Sequence, residues 1–263
     1  MSNGFRERLL ARESLFGTIV TLTTPQAAEA LAAAGHDWLW IDMEHGAFDL
    51  PTVQSLIIAT EAAAGASQRA TERKTQCAAI VRVPANDETW LKRVLDLGPE
   101  GVIVPHVDSA EEARAAVRAC RYPPRGNRSV GIGRAQGYGA GLSDALASAH
   151  ERLAVMPQIE SAAAVDEIDA ILKVDGVDCA VVGPFDLSAS LGHIGELDHP
   201  DVVAAMRRVA KACSKAGKPA GLFAGSVGFA KQWRSEGFSV IAVGADAALL
   251  SNAAAVQLCE LRS

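Results

Sequence analysis

Eight short apolar runs alternate with eight helix-like stretches along this chain, and no other feature restricts the fold as strongly. The runs are 15–22 (LFGTIVTL), 38–43 (WLWIDM), 78–83 (AAIVRV), 101–104 (GVIV), 153–159 (LAVMPQI), 177–182 (VDCAVV), 219–223 (PAGLF) and 239–243 (SVIAV). Continuous apolar runs of this length point to strands buried on both faces, as a parallel sheet requires. Helical patterns fill the gaps at 25–34, 51–64, 87–97, 109–120, 161–173, 200–216, 226–236 and 246–260. Several open on cap signals, such as Asp87, or Ser109 with Glu112 in capping-box spacing. Eight such units in 263 residues favour an α/β chain folded as one closed (β/α)8 TIM barrel over residues 1–263 rather than an open doubly wound sheet, although the period by itself does not fix closure.

Two segments break the rhythm. Residues 65–77 (GASQRATERKTQC) are polar and read as a surface loop. Residues 121–141, rich in Gly, Pro and Arg, are too long for a plain connection and read as a candidate lid.

Charge and composition remove several classes of function. The 25 basic and 31 acidic side chains are dispersed, with no basic stripe, which argues against nucleic-acid binding. No apolar run reaches the ~18 residues that cross a bilayer, and the N-terminus lacks a signal-like apolar core, so a cytoplasmic location is expected. Five widely spaced cysteines without a C-x-x-C pair predict reduced thiols rather than a disulfide framework or zinc cluster.

In a barrel, chemistry gathers where strands end. Those positions here carry Asp42, Glu44, His45, Arg82, Gln158, Glu160, Gly183, Pro184 and Asp186. Glu160 and Asp186 lie about one βα unit apart, and two carboxylates on one rim repel unless a proton or cation lies between them. A hard cation such as Mg²⁺ or Mn²⁺ suits them. Capping of the short helices that follow is the plainer alternative. His45, three residues past Asp42, has the spacing for a carboxylate-oriented base; a surface-turn histidine is its alternative. Arg82 offers a planar fork to a carboxylate or enolate oxygen, or pairs with a neighbouring strand-end acid. His106 follows the fourth strand with less to single it out. The seven lysines all fall away from strand C-terminal ends, which counts against Schiff-base chemistry.

The stretches 37–50 (DWLWIDMEHGAFDL), 81–107, 121–131 (RYPPRGNRSVG), 157–161 (PQIES), 183–193 (GPFDLSASLGH) and 243–250 together resemble the HpcH/HpaI aldolase family. That resemblance covers most of the chain from about residue 5. It implies a divalent-metal-dependent (Mg²⁺, Mn²⁺ or Co²⁺) aldolase that cleaves 4-hydroxy-2-ketoacids to pyruvate and an aldehyde; oxaloacetate decarboxylation, which passes through the same enolate, is a further candidate as a side activity. Carried over residue by residue, it implies Glu160 and Asp186 as metal ligands and His45 as base with Asp42 behind it. Arg82 binds the enolate with Gln158 nearby, and amides around Gly183 and Pro184 receive its carboxylate. The resemblance also implies that Asp96, on its own a helix-end acid, reaches a neighbouring subunit's site in a homo-hexamer, a trimer of dimers that exchange their last helix. Ala47 stands where relatives often have proline. Leu222 and Phe223 are candidates for shaping the aldehyde side. An acyl-CoA ester lyase of the citryl- or malyl-CoA type stays open through Arg125, Arg128 and Arg134, as does a non-catalytic ketoacid-binding barrel.

Overall fold

Eight parallel strands close into a barrel in sequence order, β1 through β8, with β8 pairing back onto β1. The structure is a computed structural model that describes residues 4–70 and 76–263. The strands are β1 (Leu15–Val20), β2 (Trp38–Asp42), β3 (Ala78–Arg82), β4 (Gly101–Val104), β5 (Ala154–Ile159), β6 (Ala180–Val182), β7 (Ala220–Ala224) and β8 (Phe238–Ala245). The helices are α1 (Phe5–Leu10), α2 (Pro25–Ala33), α3 (Leu50–Ala70), α4 (Glu88–Leu95), α5 (Ala110–Cys120), α6 (Leu142–Arg152), α7 (Ala162–Asp166), α8 (Ile168–Leu172), α9 (Pro184–Ser190), α10 (Pro200–Ala216), α11 (Val227–Ser235) and α12 (Asp246–Arg262). The closed sheet bears out the expected barrel.

Two cores hold it. Alternate strand residues such as Trp38, Trp40, Ile80, Met156 and Val181 fill the interior. Their neighbours, among them Leu39, Ile41, Val81, Val155 and Leu222, pack outward against the helices. This parity follows from successive strand side chains pointing to opposite faces. Helix α1, which the hydrophobic pattern did not announce, sets Phe5 and Leu9 into the interior cluster and plugs the N-terminal mouth.

The helix starts follow local chemistry. Asp87, Ser109, Ser161 and Ser226 each accept a first-turn amide, while Pro25, Pro184 and Pro200 occupy the first helical turn of α2, α9 and α10. The helix expected over 161–173 divides into α7 and α8 at Glu167, which leaves helical geometry. The polar segment 65–77 is not a simple loop, because α3 runs on to Ala70; residues 71–75 lie outside the described residues.

Segment 121–141 does not close over this chain's own site. It joins α5 to α6 and β5, so it lies on the rim where strands begin, opposite the rim where they end. Arg128 donates to Asp96 at 2.8 Å, Ala135 N–H bonds the Asp96 carbonyl at 3.1 Å, and Gln136 Nε2 bonds the Tyr122 hydroxyl at 3.0 Å. Helix α12 departs in another way. Asp246 is its one buried residue, and Leu249, Leu250, Val256, Leu258 and Leu261 face outward, so it covers little of its own barrel.

Candidate active site

The same parity that fills the barrel interior delivers the polar side chains. Asp42 continues the inward series Trp38–Trp40, and Arg82 continues Ala78–Ile80; the two stand in register on adjacent strands. Gln158 on β5 and Glu160 just past its end continue the series Ala154–Met156. All four are buried. With Ile19, Thr21, Trp40, His45, Gly183, Pro184, Phe185, Asp186, Phe223 and Ala245, Asp42, Arg82 and Gln158 line a cavity of about 350 Å³ at the C-terminal end.

Arg82 is the hub. Its Nε and a terminal nitrogen grip both oxygens of Asp42 at 2.8 and 2.6 Å. The other terminal nitrogen lies 2.8 Å from Glu44 Oε2 and 3.3 Å from Gln158 Oε1. The guanidinium also sits 5.0 Å over the Trp40 ring. The plainer expectation for Arg82, an ion pair with a strand-end acid, is thus realised, and the same pair faces the cavity.

Asp42 does not orient the His45 imidazole. Its carboxylate takes the Arg82 fork and the amides of Glu44 and His45, at 3.1 and 3.4 Å. What it fixes is the turn that carries His45 to the rim, where the ring is exposed. That turn needs Gly46, since a Cβ there would lie 2.2 Å from the Asp42 carbonyl.

Glu160 is held on both oxygens. Oε1 accepts the His106 amide at 2.7 Å and lies 3.2 Å from His106 Nδ1, while Oε2 accepts from Gln158 Nε2. His106 Nε2 then lies 3.2 Å from Glu44 Oε1, closing a ring of contacts back to Arg82. Burial pushes the Glu160 carboxyl above its ordinary range; the His106 amide and ring pull it down, and the nearby Glu44 and Asp186 carboxylates add to the rise. Glu44, linked to Glu160 through His106, and Asp186, lining the cavity, thus both lie close enough to act on Glu160. Glu44 and His106, to which the sequence assigned little, are tied into this network; the recurrence of polar groups after β2 and β4 was the available signal.

Other expectations need correction. Asp186 is not a helix cap: Gly183 holds that place on α9 and Asp186 sits in the first turn. Ser161, not Glu160, caps α7. The amides of Gly183 and Pro184 are not free for a carboxylate, because Gly183 N–H bonds the Ile159 carbonyl at 3.3 Å and proline has no N–H. Leu222 packs against the helix layer, fully buried, whereas its neighbour Phe223 lines the cavity with Phe185, their rings 6.5 Å apart. Asp96 lies on the opposite rim, paired with Arg128. Among the described residues, lysines stand on helices, on the turn after α8 or before a strand, as expected; Lys74 lies outside them.

Gly183 has a role of another kind. A Cβ there would stand 2.8 Å from Gln158 Nε2 and 3.1 Å from Glu160 Oε2. Gly183→Ala is expected to displace both side chains and lower kcat/KM roughly 10- to 100-fold, with little change in melting temperature. Steady-state kinetics beside a thermal melt checks this; an unaltered kcat/KM would mean that the side chains yield freely.

Residues 15–253 match the family described as HpcH/HpaI aldolase/citrate lyase. The chain belongs to that family. The hydroxypyruvate/pyruvate aldolase of Paraburkholderia phytofirmans is 43% identical, over all of this chain and 98% of that one. The 5-keto-4-deoxy-D-glucarate aldolase of Shigella boydii is 36% identical, covering 95% of this chain and 93% of its own. A crystal structure of a family member from Burkholderia cenocepacia superposes with a TM-score of 0.90 at 41% identity, covering 98% of each chain. This HpcH/HpaI member is a carbon–carbon lyase of the aldolase type.

Proposed function

We propose that the chain is a divalent-metal-dependent aldolase using pyruvate, or a close 2-ketoacid such as hydroxypyruvate, as enolate donor in the reversible cleavage of 4-hydroxy-2-ketoacids. The observation that carries this reading is the buried Glu160 carboxylate, facing Glu44 and Asp186 beside the Arg82 hub. Excess negative charge at a cavity mouth, presented by oxygen donors, fits Mg²⁺, Mn²⁺ or Co²⁺, with Glu160 and Asp186 as the ligands. Such an ion supplies Lewis acidity toward the ketoacid oxygens.

The protein's own groups do the rest. Arg82 donates to the keto oxygen as it gains charge, and its own position is locked by Asp42, Glu44 and Gln158. His45, exposed at the rim and lining the cavity, takes the proton from the hydroxyl on the carbon that becomes the aldehyde. First-turn amides of Phe185 and Asp186, rather than those of Gly183 and Pro184, suit the ketoacid carboxylate. Phe185 and Phe223 form the apolar wall met by the aldehyde substituent. Phe223→Ala is expected to raise the kcat/KM ratio of bulky to small aldehydes by about 10-fold. Competition assays between a short and a branched aldehyde measure it, and an unchanged ratio would remove Phe223 from the aldehyde pocket.

The exposed apolar residues of α12 support a homo-oligomer in which this helix docks on a neighbour, and Asp96 then serves the neighbour's site in a hexamer. Arg125, Arg128 and Arg134, which keep an acyl-CoA ester lyase open, lie on the rim opposite their own barrel's site, where Arg128 pairs with Asp96 and Arg134 with Glu61, so a CoA ester would meet them only at a neighbour's site.

The deciding experiment follows pyruvate release from 4-hydroxy-2-oxoheptanedioate or a shorter 4-hydroxy-2-ketoacid. It is run with EDTA, then with Mg²⁺, Mn²⁺ or Co²⁺ restored, and in parallel with citryl-CoA and malyl-CoA. Turnover of the ketoacid that EDTA abolishes and metal restores is expected. Turnover indifferent to EDTA overturns the metal, and turnover of the CoA esters alone overturns the substrate class.

A further inference from the structure

Beyond this site, the loop between α9 and α10 gathers three metal-ligating side chains that the aldol chemistry does not use. One donor atom from each of His193, Glu196 and His199 lies within 4.8 Å of the others. The two imidazoles stack with centroids 3.3 Å apart and planes 18° from parallel. The Asp201 carboxylate lies 3.4 Å from His193 Nε2 and 3.7 Å from His199 Nδ1, so both rings turn a nitrogen toward one oxygen.

The loop is built to hold this arrangement. His193 N–H bonds the Ser188 carbonyl at 2.8 Å, Glu196 N–H the His193 carbonyl at 2.9 Å, and His199 N–H the Glu196 carbonyl at 2.9 Å. Gly195 N–H reaches Ser188 Oγ at 2.9 Å, which ties the loop to α9. The donors therefore recur every third residue on a backbone already fixed, and little ordering remains when an ion binds. His199 Nδ1 accepts the Asp201 amide at a long 3.3 Å, so that nitrogen carries a lone pair that a cation can take over.

We infer that His193, Glu196 and His199, with Asp201 as orienting group or fourth ligand, form a second metal site selective for Zn²⁺-like ions. Two imidazoles and a carboxylate are a zinc donor set, softer than the all-oxygen set at the barrel mouth. Donors about 2.1 Å from a tetrahedral zinc lie roughly 3.4 Å apart, so the present spacing closes by side-chain rotation. The rings are about one quarter exposed, at 27% and 28%, which leaves the ion a path in from solvent. Through Ser188, whose hydroxyl donates to the Phe185 carbonyl at 2.6 Å, the bound ion braces the α9 turn that carries Phe185 into the cavity wall. This site is independent of the proposed aldolase mechanism.

The test counts zinc in chains whose catalytic carboxylate is removed. Glu160→Ala protein and Glu160→Ala/His193→Gln/His199→Asn protein are equilibrated with ZnCl₂, and bound zinc is measured by elemental analysis and by titration calorimetry. Asparagine keeps the helix cap that His199 provides to α10, and circular dichroism verifies the fold. The expected result is one zinc fewer per chain in the triple variant, or binding at that site weakened by roughly 100-fold or more. In the Glu160→Ala chain, Co²⁺ gives visible absorption bands that the triple variant lacks. Equal zinc content in the two chains, or none in the Glu160→Ala chain, overturns the site.

Discussion

Replacing Glu160 with glutamine is expected to lower kcat/KM by at least about 10³-fold, roughly 4 kcal/mol of transition-state stabilisation. The amide keeps the shape but removes the charge that Glu44 and Asp186 make unfavourable without a cation. A second readout separates loss of metal from loss of fold. Wild-type protein in Mn²⁺ at about 100 times its Kd gains ~2.7 kcal/mol, a rise of roughly 5–10 °C in melting temperature for a chain of this size. The Glu160→Gln chain should show no such rise. A full metal-dependent shift in the variant would strike Glu160 from the ligand set. The pH dependence has a defined sign as well. Burial raises the Glu160 carboxyl in the folded state, so its contribution is most favourable at low pH and is lost as pH rises through the raised value. Stripped of metal, wild type should therefore gain on Glu160→Gln as pH falls through the window above the usual carboxylate range.

The second large effect belongs to Arg82. Arg82→Met leaves Asp42 and Glu44 buried or half-buried without their cation, and breaking a buried pair from one side costs about 3–5 kcal/mol. Arg82→Lys keeps the charge but replaces a planar fork by a point, so it cannot hold both Asp42 oxygens, Glu44 and Gln158 together. Its expected signature is a smaller loss of stability with a 10²- to 10³-fold fall in kcat/KM. Chemical denaturation and steady-state kinetics on the two variants separate the roles. Arg82→Met stability within about 0.5 kcal/mol of wild type would show that hydration or protonation, not the guanidinium, relieves the charge of the acids.

Strand-end positions were legible because a barrel puts the end of every strand on one rim, so Asp42, Arg82, Gln158, Glu160 and Asp186 could be gathered without coordinates. Side-chain direction was less legible. Leu222 and Phe223 are adjacent and both apolar, yet period-two alternation sends one to the helix layer and the other to the cavity. Register is what separates them, since the interior residue Val181 pairs with Gly221, two before Phe223. Asp42 misled for a different reason. Its spacing to His45 suits a carboxylate–imidazole pair, but Arg82, forty positions away in sequence, stands in register beside it and takes both oxygens.

By itself, the sequence determined the βα rhythm and the set of polar residues at the strand ends, and it favoured a closed barrel; the pairing of β8 with β1 closes it. The rhythm and the strand-end set depend on local hydrophobic period and on strand order, which are written along the chain. Only the tertiary structure decided that Glu44 and His106 join the Glu160 network and that segment 121–141 lies on the far rim. The family resemblance implied an exchanged last helix, but only the structure shows that the apolar residues of α12 are left uncovered by its own barrel. Each of these turns on which distant groups meet across strands. That choice is made by register and burial, where a charge must find its partner or remain unpaired away from water.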